Sequence, residues 1–325
     1  MSFTNSKIEG VYVINLDKDK ERLASFDSQM KKQNITYTRF PAILGSKVHN
    51  SEYLTEFCNT YCTDGMKGCA LSHRSIWEEA YKKQYKYVMI FEDDAILSDN
   101  FDTKLKEMWS HVPDNFDIVY PGCRARCDPI LVQQALNMVT GVEIKRINEH
   151  VYSFGGDFTG HCYILSRKCI EKIYNRILST PIDVNIQIYI KELNLNAYYL
   201  KPVIVTVDDV NNDSNLSDQY PSLLTYLLDY IKLGSSVPLG YLCASNVLKI
   251  GGMNINLYIV FFVILLSFIP FFLFKWVFAW LFIEFIVSQD MKNTLRYLIF
   301  MSIPVAVRLR FAYETMPVKK IIKLL

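Results

Sequence analysis

Glu92-Asp93-Asp94 closes a wholly apolar run, Tyr87–Phe91. A short run of this kind reads as a strand buried on both faces, as at the centre of a parallel sheet. Ligands of open α/β sheets bind outside the carboxyl ends of the strands, so these three carboxylates stand where a substrate would sit. Adjacent carboxylates repel one another and require a counter-charge. A hard divalent cation, Mn²⁺ or Mg²⁺, supplies one, because it takes carboxylate oxygens and substrate phosphates together. With Asp93 and Asp94 as ligands and Glu92 beside the substrate, that ion would stabilise a departing diphosphate as a Lewis acid. The plainer alternative is an acidic start to the next element, with an Asp as its cap.

Cys58, Cys62, Cys69 and His73 carry the spacing of a small zinc site. The alternative places Cys69 in a helix and the other two in a loop. The N-terminal residues lack a basic region followed by an apolar core, so no secretory signal is read there. Eight cysteines without such a signal point to reduced, mostly buried thiols. The net charge of +2 offers no global argument for a nucleic-acid partner.

The elements that must position these residues alternate. Val11–Leu16 is strand-like, and Lys18–Gln33 reads as a helix with Leu23, Phe26 and Met30 on one face. Tyr37–Ala42 is a second strand, followed by a polar loop to about Gly65 and a helix over Met66–Lys83. After the acidic triplet come a helix near Phe101–His111 and a strand, Asp117–Tyr120. Beyond 123–150, which give no clear reading, a Gly-Gly turn leads to the strand Cys162–Leu165. Helices at Ile170–Leu178 and Val184–Leu193 and late strands in Tyr198–Val207 complete the pattern. Strands alternating with helices imply a mostly parallel sheet flanked by helices.

Five segments in order resemble glycosyltransferase family 25, which includes bacterial lipo-oligosaccharide and collagen galactosyltransferases. They are Val11-Tyr-Val-Ile-Asn-Leu-Asp17 with Glu21-Arg22, Gly68-Cys-Ala-Leu-Ser-His73, the strand ending in Glu92-Asp93-Asp94, Gly160-His-Cys-Tyr-Ile-Leu-Ser166, and Pro181-Ile-Asp183. The resemblance implies a GT-A-type fold, a UDP-sugar donor and inversion at the anomeric carbon. It places Asn15 and Arg22 near the nucleotide, where the fork of donors on Arg22 could pair with phosphate. Ser72 and His73 would lie at the nucleotide or metal edge. Inversion needs a general base for the acceptor hydroxyl. Asp183 is the first candidate and Asp157, after Gly155-Gly156, the second. Asp183 also begins a helix, where capping is its alternative use. Where the collagen enzymes have Pro-Thr-His, this chain reads Val207-Asp208-Asp209. Asp208 could serve there as a third metal ligand or sit as a solvated loop acid.

The C-terminal part differs in kind. No residue between Lys249 and Lys275 is charged, and apolar character resumes from there to Val287. This length suits a bilayer-spanning helix. Pro270 and Lys275 near its middle leave either one span with an interfacial segment or a hairpin. The expected division is therefore a catalytic domain over 1–245 and a hydrophobic helical membrane segment over 246–325. Basic residues follow Ser288: Lys292, Arg296, Arg308, Arg310, Lys319, Lys320 and Lys323. They favour a cytoplasmic end and would attract anionic lipid. With no signal peptide read, the catalytic domain is expected on the cytoplasmic side, and the sequons at Asn34, Asn212 and Asn215 are read as chance.

The leading expectation is a metal-dependent, membrane-associated hexosyltransferase moving galactose or glucose to a glycan, glycolipid or protein hydroxyl. An inactive nucleotide-sugar-binding or glycan-binding membrane scaffold is the alternative from another class. A metal-dependent nucleotidyl or phosphoryl transferase ranks lower, because no Gly-rich phosphate loop with Lys is present.

Overall fold

The computed structural model describes residues 1–123, 143–153, 155, 160–207, 218, 220–231 and 238–315. The chain divides into two compact units. The first comprises Met1–Asn212 with Leu233–Val237, and the second Asp213–Lys232 with Pro238–Leu325.

The first unit is built on an eight-stranded sheet ordered β2-β1-β3-β8-β5-β9-β7-β6. Its strands are β1 (Gly10–Asn15), β2 (Thr38–Pro41), β3 (Tyr87–Glu92), β5 (Ile118–Tyr120), β6 (Lys145–Arg146), β7 (Val151–Ser153), β8 (Cys162–Ser166) and β9 (Ala197–Leu200). β1, β2, β3, β5, β6 and β9 run one way, while β7 and β8 run against them. The expected mixed α/β architecture with a mostly parallel sheet is thus observed, with two reversed strands, β8 between β3 and β5 and β7 between β9 and β6. Beside this sheet, β4 (Ala95–Leu97) pairs antiparallel with β10 (Val205–Val207).

Side-chain alternation along the strands fixes which layer lies on which face. Val11 and Val13, Met89 and Phe91, and Cys162 and Ile164 join one buried cluster with Phe26 and Met30 of α2 (Lys20–Lys32) and Leu105 and Met108 of α5 (Phe101–Trp109). The intervening residues turn to α4 (Asp64–Lys82): Tyr12 donates to Glu79 at 2.8 Å, and Tyr163 receives the Trp77 indole N–H at 3.0 Å. Helices therefore cover both faces. α4 starts where the Thr63 side chain accepts from Met66 N, and α6 (Arg167–Ile173) where Ser166 accepts from Cys169 N. The Ser166 cap explains why α6 begins earlier than the apolar spacing indicated. α7 spans Ile182–Glu192.

Two short helices lay outside the expected pattern, α1 (Phe3–Lys7) and α3 (Glu56–Tyr61). α3 falls in the polar loop, where Thr55 caps it through Cys58 N. At its end Cys58 and Cys62 form a disulfide with a Cα–Cα distance of 4.6 Å, and Cys123 is also disulfide-bonded. Reduced thiols were expected. Cys69, Cys162, Cys169 and Cys243 are free. With Cys58 and Cys62 joined to each other, the four-ligand zinc arrangement does not form.

The second unit collects α8 (Ser222–Leu228), α9 (Leu239–Ala244), a hairpin of β11 (Asn246–Ile250) and β12 (Met253–Asn256), and the helices α10 (Leu257–Phe268), α11 (Phe274–Ser288) and α12 (Met291–Thr315). Gly251 and Gly252 turn the hairpin at φ of +56° and +81°, which suits a two-residue loop. Charges within this apolar unit serve helix ends. Buried Glu284 of α11 accepts from Leu223 N and Leu224 N, each at 2.9 Å, at the start of α8. Arg308 donates to the Leu266 and Ile269 carbonyls at 2.8 and 2.6 Å, where α10 stops before Pro270. Arg296 pairs with Asp218 and is buried. The expected basic patch is therefore partly consumed: Arg296 is buried, Arg308 is half-buried and bonded to helix-end carbonyls, Lys292 and Arg310 are exposed, and Lys319, Lys320 and Lys323 lie outside the described residues.

Close backbone approach makes one further demand on the first unit. A Cβ on Gly68 would lie 2.3 Å from the Ile43 carbonyl oxygen and 2.9 Å from Gly45 N. Those atoms belong to backbone, so neither can rotate away. Gly68→Ala should lower the unfolding free energy of the first unit by roughly 2–3 kcal/mol, measured by denaturant unfolding against wild type. A variant as stable as wild type would show that this contact relaxes freely.

Candidate active site

The parallel pairing of β1 with β3 sets Ile14 opposite Glu92, so the two strands end side by side. Asn15 therefore reaches the acidic triplet. Its Nδ2 donates to Asp93 Oδ2 at 2.6 Å and to the Asp19 carbonyl at 2.9 Å. Its Oδ1 accepts from Arg39 Nε at 2.9 Å, and Arg39 also pairs with Asp17 at 2.6 Å. Asn15 is 2 % exposed, and all of these contacts hold it rigidly against Asp93.

Arg22 comes from the first turn of α2. Its Nη2 lies 2.7 Å from Asp93 Oδ1 and 2.9 Å from Asp94 Oδ2. The counter-charge that the triplet requires is thus an arginine in this structure. The resemblance had placed Arg22 on phosphate. Burial works to lower the pKa of the guanidinium, but Asp94, Asp93 and Glu92 outweigh it and raise the value. Burial raises the Asp93 carboxyl, and Arg22 and Asn15 only partly oppose that.

Glu92 faces a different set. His73 Nε2 is 3.3 Å from Glu92 Oε1, and His73 Nδ1 is 2.7 Å from the Tyr163 hydroxyl. The Trp77 indole can only donate, so it takes a lone pair of Tyr163 Oη and leaves the hydroxyl hydrogen for His73 Nδ1. A neutral His73 then carries its proton on Nε2, aimed at Glu92. Burial acts to raise the Glu92 carboxyl, yet His73, His161 and Arg22 together hold it below the usual range. Gly160 permits this packing, because a Cβ there would come within 2.8 Å of Glu92 Oε1.

Cys69 Sγ is 3.9 Å from Glu92 Oε1, and the donor atoms of Cys69, His73 and Glu92 all lie within 4.8 Å of one another. Burial pushes the Cys69 thiol well up, with Glu92, Asp183 and Asp94 adding to the effect. Asp183 is therefore within electrostatic reach of this cluster. It is half-buried in the first turn of α7, where its Oδ1 accepts from Val184 N at 2.9 Å.

Ser72 has another use. Its hydroxyl donates to the Gly68 carbonyl at 2.7 Å and accepts from Ile43 N at 2.8 Å, with no exposed surface. It ties the chain after β2 to α4, with its only proton given to the Gly68 carbonyl. Asp157 and Asp208 lie outside the described residues, although β10 ends at Val207 opposite Ala95, next to Asp94. Residue spacing gave no warning of Arg39, Tyr163 or Trp77. Tyr163 lies within a segment that carried the family resemblance, but its hydrogen bond to His73 needed the β8–α4 packing.

The fit of the site to a divalent ion follows from its donors. Asp93 and Asp94 converge on a single positive group and present only hard oxygen atoms, the chemistry that Mn²⁺ and Mg²⁺ prefer.

A family model described as glycosyltransferase family 25 (LPS biosynthesis protein) matches residues 8–188. The lipooligosaccharide biosynthesis protein lic2B of Haemophilus influenzae is 31% identical over 99 residues, 30% of this chain and 37% of that protein. A probable inactive glycosyltransferase 25 family member 3 of Rattus norvegicus is 30% identical over 126 residues, 34% of this chain and 22% of its own length. The chain thus spans well under half the length of these curated relatives. A Drosophila β-1,4-galactosyltransferase 7 mutant in complex with manganese, UDP-Gal and xylobiose aligns with a TM-score of 0.33 and 9% identity, covering 59% of this chain and 65% of that one. With more than half its length matched by the family model, this chain belongs to glycosyltransferase family 25.

Proposed function

We propose that this chain moves a hexose, galactose or glucose, from a UDP-sugar to a hydroxyl on a glycan, glycolipid or protein, with inversion and with the help of Mn²⁺ or Mg²⁺. The observation that carries this reading is the convergence of Asp93, Asp94 and Arg22 where β1 and β3 end. When bound, the ion would be held by Asp93 and Asp94, with Asp208 as a further ligand, and would stabilise the departing diphosphate. Asn15 fixes the Asp93 carboxylate in place. Arg22 carries a bidentate fork that suits phosphate once the carboxylates have another partner. Glu92, oriented by His73, lines the donor side. Asp183 takes the acceptor proton as the sugar transfers, and Asp157 is the alternative base.

A second reading, an inactive sugar-binding scaffold, is favoured by the relative named as inactive. Hydrolysis of a panel of UDP-sugars with and without Mn²⁺ separates the two. Asp93→Ala and Asp94→Ala should abolish metal-dependent turnover while the far-UV spectrum stays native. Near-normal turnover in either variant would remove the metal assignment. Asp183→Asn should cut turnover by a factor on the order of 10²–10⁴ with donor affinity little changed, the pattern of a group needed only in the transition state. Lost donor or metal binding would instead put Asp183 in the metal site.

We also propose that the second unit attaches the enzyme to a membrane. Phe271–Ser288 is long and apolar enough to cross a bilayer, whereas Leu257–Phe268 is shorter. Phe261, Ile264, Trp276, Ile286, Ile299 and Val307 from all three long helices are exposed. Such a surface suits lipid. The full chain should sediment with membranes and resist high salt, since ions do not screen apolar burial. We place the first unit on the cytoplasmic side. The Cys58–Cys62 disulfide favours the opposite, oxidising side. Protease applied to sealed, cytoplasm-out vesicles should reach the first unit. Protection of the first unit from protease would reverse the topology.

A further inference from the structure

Away from the acidic triplet, two histidines and a glutamate meet on the surface of the first unit. His111 follows α5, and Glu149 and His150 precede β7. Glu149 Oε1 is 3.5 Å from His111 Nε2 and 3.7 Å from His150 Nε2, and the three ligand atoms all lie within 4.8 Å of one another. The two imidazole rings stand edge to face with centroids 4.8 Å apart.

We propose that His111 Nε2, His150 Nε2 and Glu149 Oε1 form a Zn²⁺ site. Zinc takes imidazole nitrogen and carboxylate oxygen at about 2.0–2.2 Å, so the edge of a tetrahedral set is about 3.4 Å. The two spacings from Glu149 already approach that edge. Two imidazoles with one carboxylate select a borderline-soft ion over Mg²⁺ or Ca²⁺, which prefer oxygen alone. Three protein ligands leave a fourth position for water.

The surroundings prepare the ligands. His150 Nδ1 lies 3.2 Å from the Lys201 carbonyl, an acceptor, so the neutral ring keeps its proton on Nδ1 and turns the Nε2 lone pair toward Glu149. Metal-binding histidines ordinarily show this outer hydrogen bond, which fixes tautomer and orientation. Asn148 holds the two segments together. Its Oδ1 accepts from His150 N at 3.0 Å and Val151 N at 2.9 Å, and its Nδ2 donates to the His111 carbonyl at 2.8 Å. Lys201 N returns a bond to the His150 carbonyl at 2.9 Å. Bound zinc would staple the end of α5 to the turn before β7.

Equilibrium dialysis of Zn²⁺ against the full chain in detergent tests the site, with excess Mg²⁺ present to fill carboxylate-only positions. The same titration is run on Asp94→Ala and Cys69→Ser, which remove the other two ligand groups. Wild type, Asp94→Ala and Cys69→Ser should each bind Zn²⁺ at this site with equal affinity. His111→Ala and His150→Ala should weaken that binding at least about 10-fold, given that even outer-shell losses have effects of this size. Glu149 is largely exposed, so Glu149→Gln leaves the fold intact and should weaken binding as well. Zinc should also raise the unfolding temperature of wild type and not that of the His150 variant. Unchanged affinity in the three site variants, or binding lost only in Asp94→Ala or Cys69→Ser, would overturn the proposal.

Discussion

The site depends on how negative charge is managed where β1 and β3 end. Two like charges about 4 Å apart repel by roughly 4 kcal/mol at an effective dielectric of about 20, a large fraction of a domain's stability. Asp93 is nearly buried and Asp94 follows it directly, so the fold must neutralise them or leave them strained. Arg22 does so in this structure, bridging both carboxylates from the first turn of α2. Asn15 adds a neutral donor from β1. The arrangement needs β1 beside β3 in parallel register, α2 returning over the end of β1, and Arg39 of β2 behind Asn15. The order of the first three strands is thus tied to the electrostatics of one acidic corner. A divalent ion would have to take over the role of the guanidinium, which frees Arg22 for phosphate.

Glu92 shows the same corner divided by strand alternation. Asp93 meets groups from β1 and α2, while Glu92 meets His73 of α4 through a relay that begins at Trp77. Neighbouring acids are thereby given opposite tendencies, Glu92 held down and Asp93 pushed up.

Much of this was legible in the residues. Val11, Val13, Met89 and Phe91 sit in runs apolar at every position, so buried central strands followed from composition alone. The abrupt change from Phe91 to Glu92 marked the candidate site without reference to any neighbour. Other features depended on contacts between distant segments. The resemblance places Ser72 at the nucleotide or metal edge, and nothing near it in sequence signals that Ile43 N comes to its hydroxyl. Arg22 was read against a ligand and not against Asp93 and Asp94, which lie some seventy residues away. Cys58 and Cys62 have helical spacing, and only the end of α3 at Tyr61 brings their sulfurs together.

The second unit follows a similar rule in apolar surroundings. A charge there is costly unless it meets groups that already need a partner. Helix ends provide them, since the first N–H groups and last carbonyls of each helix lack internal bonds. Glu284 supplies acceptors to the start of α8, and Arg308 supplies donors to the end of α10. Both charges sit where the helix dipole favours their sign. On the proposed membrane attachment, Glu284 and Arg308 would not oppose insertion, because they satisfy backbone that would otherwise be left bare in an apolar medium. The exposed apolar residues of α10, α11 and α12 would then face lipid, while these two charges remain committed to the unit's own helices.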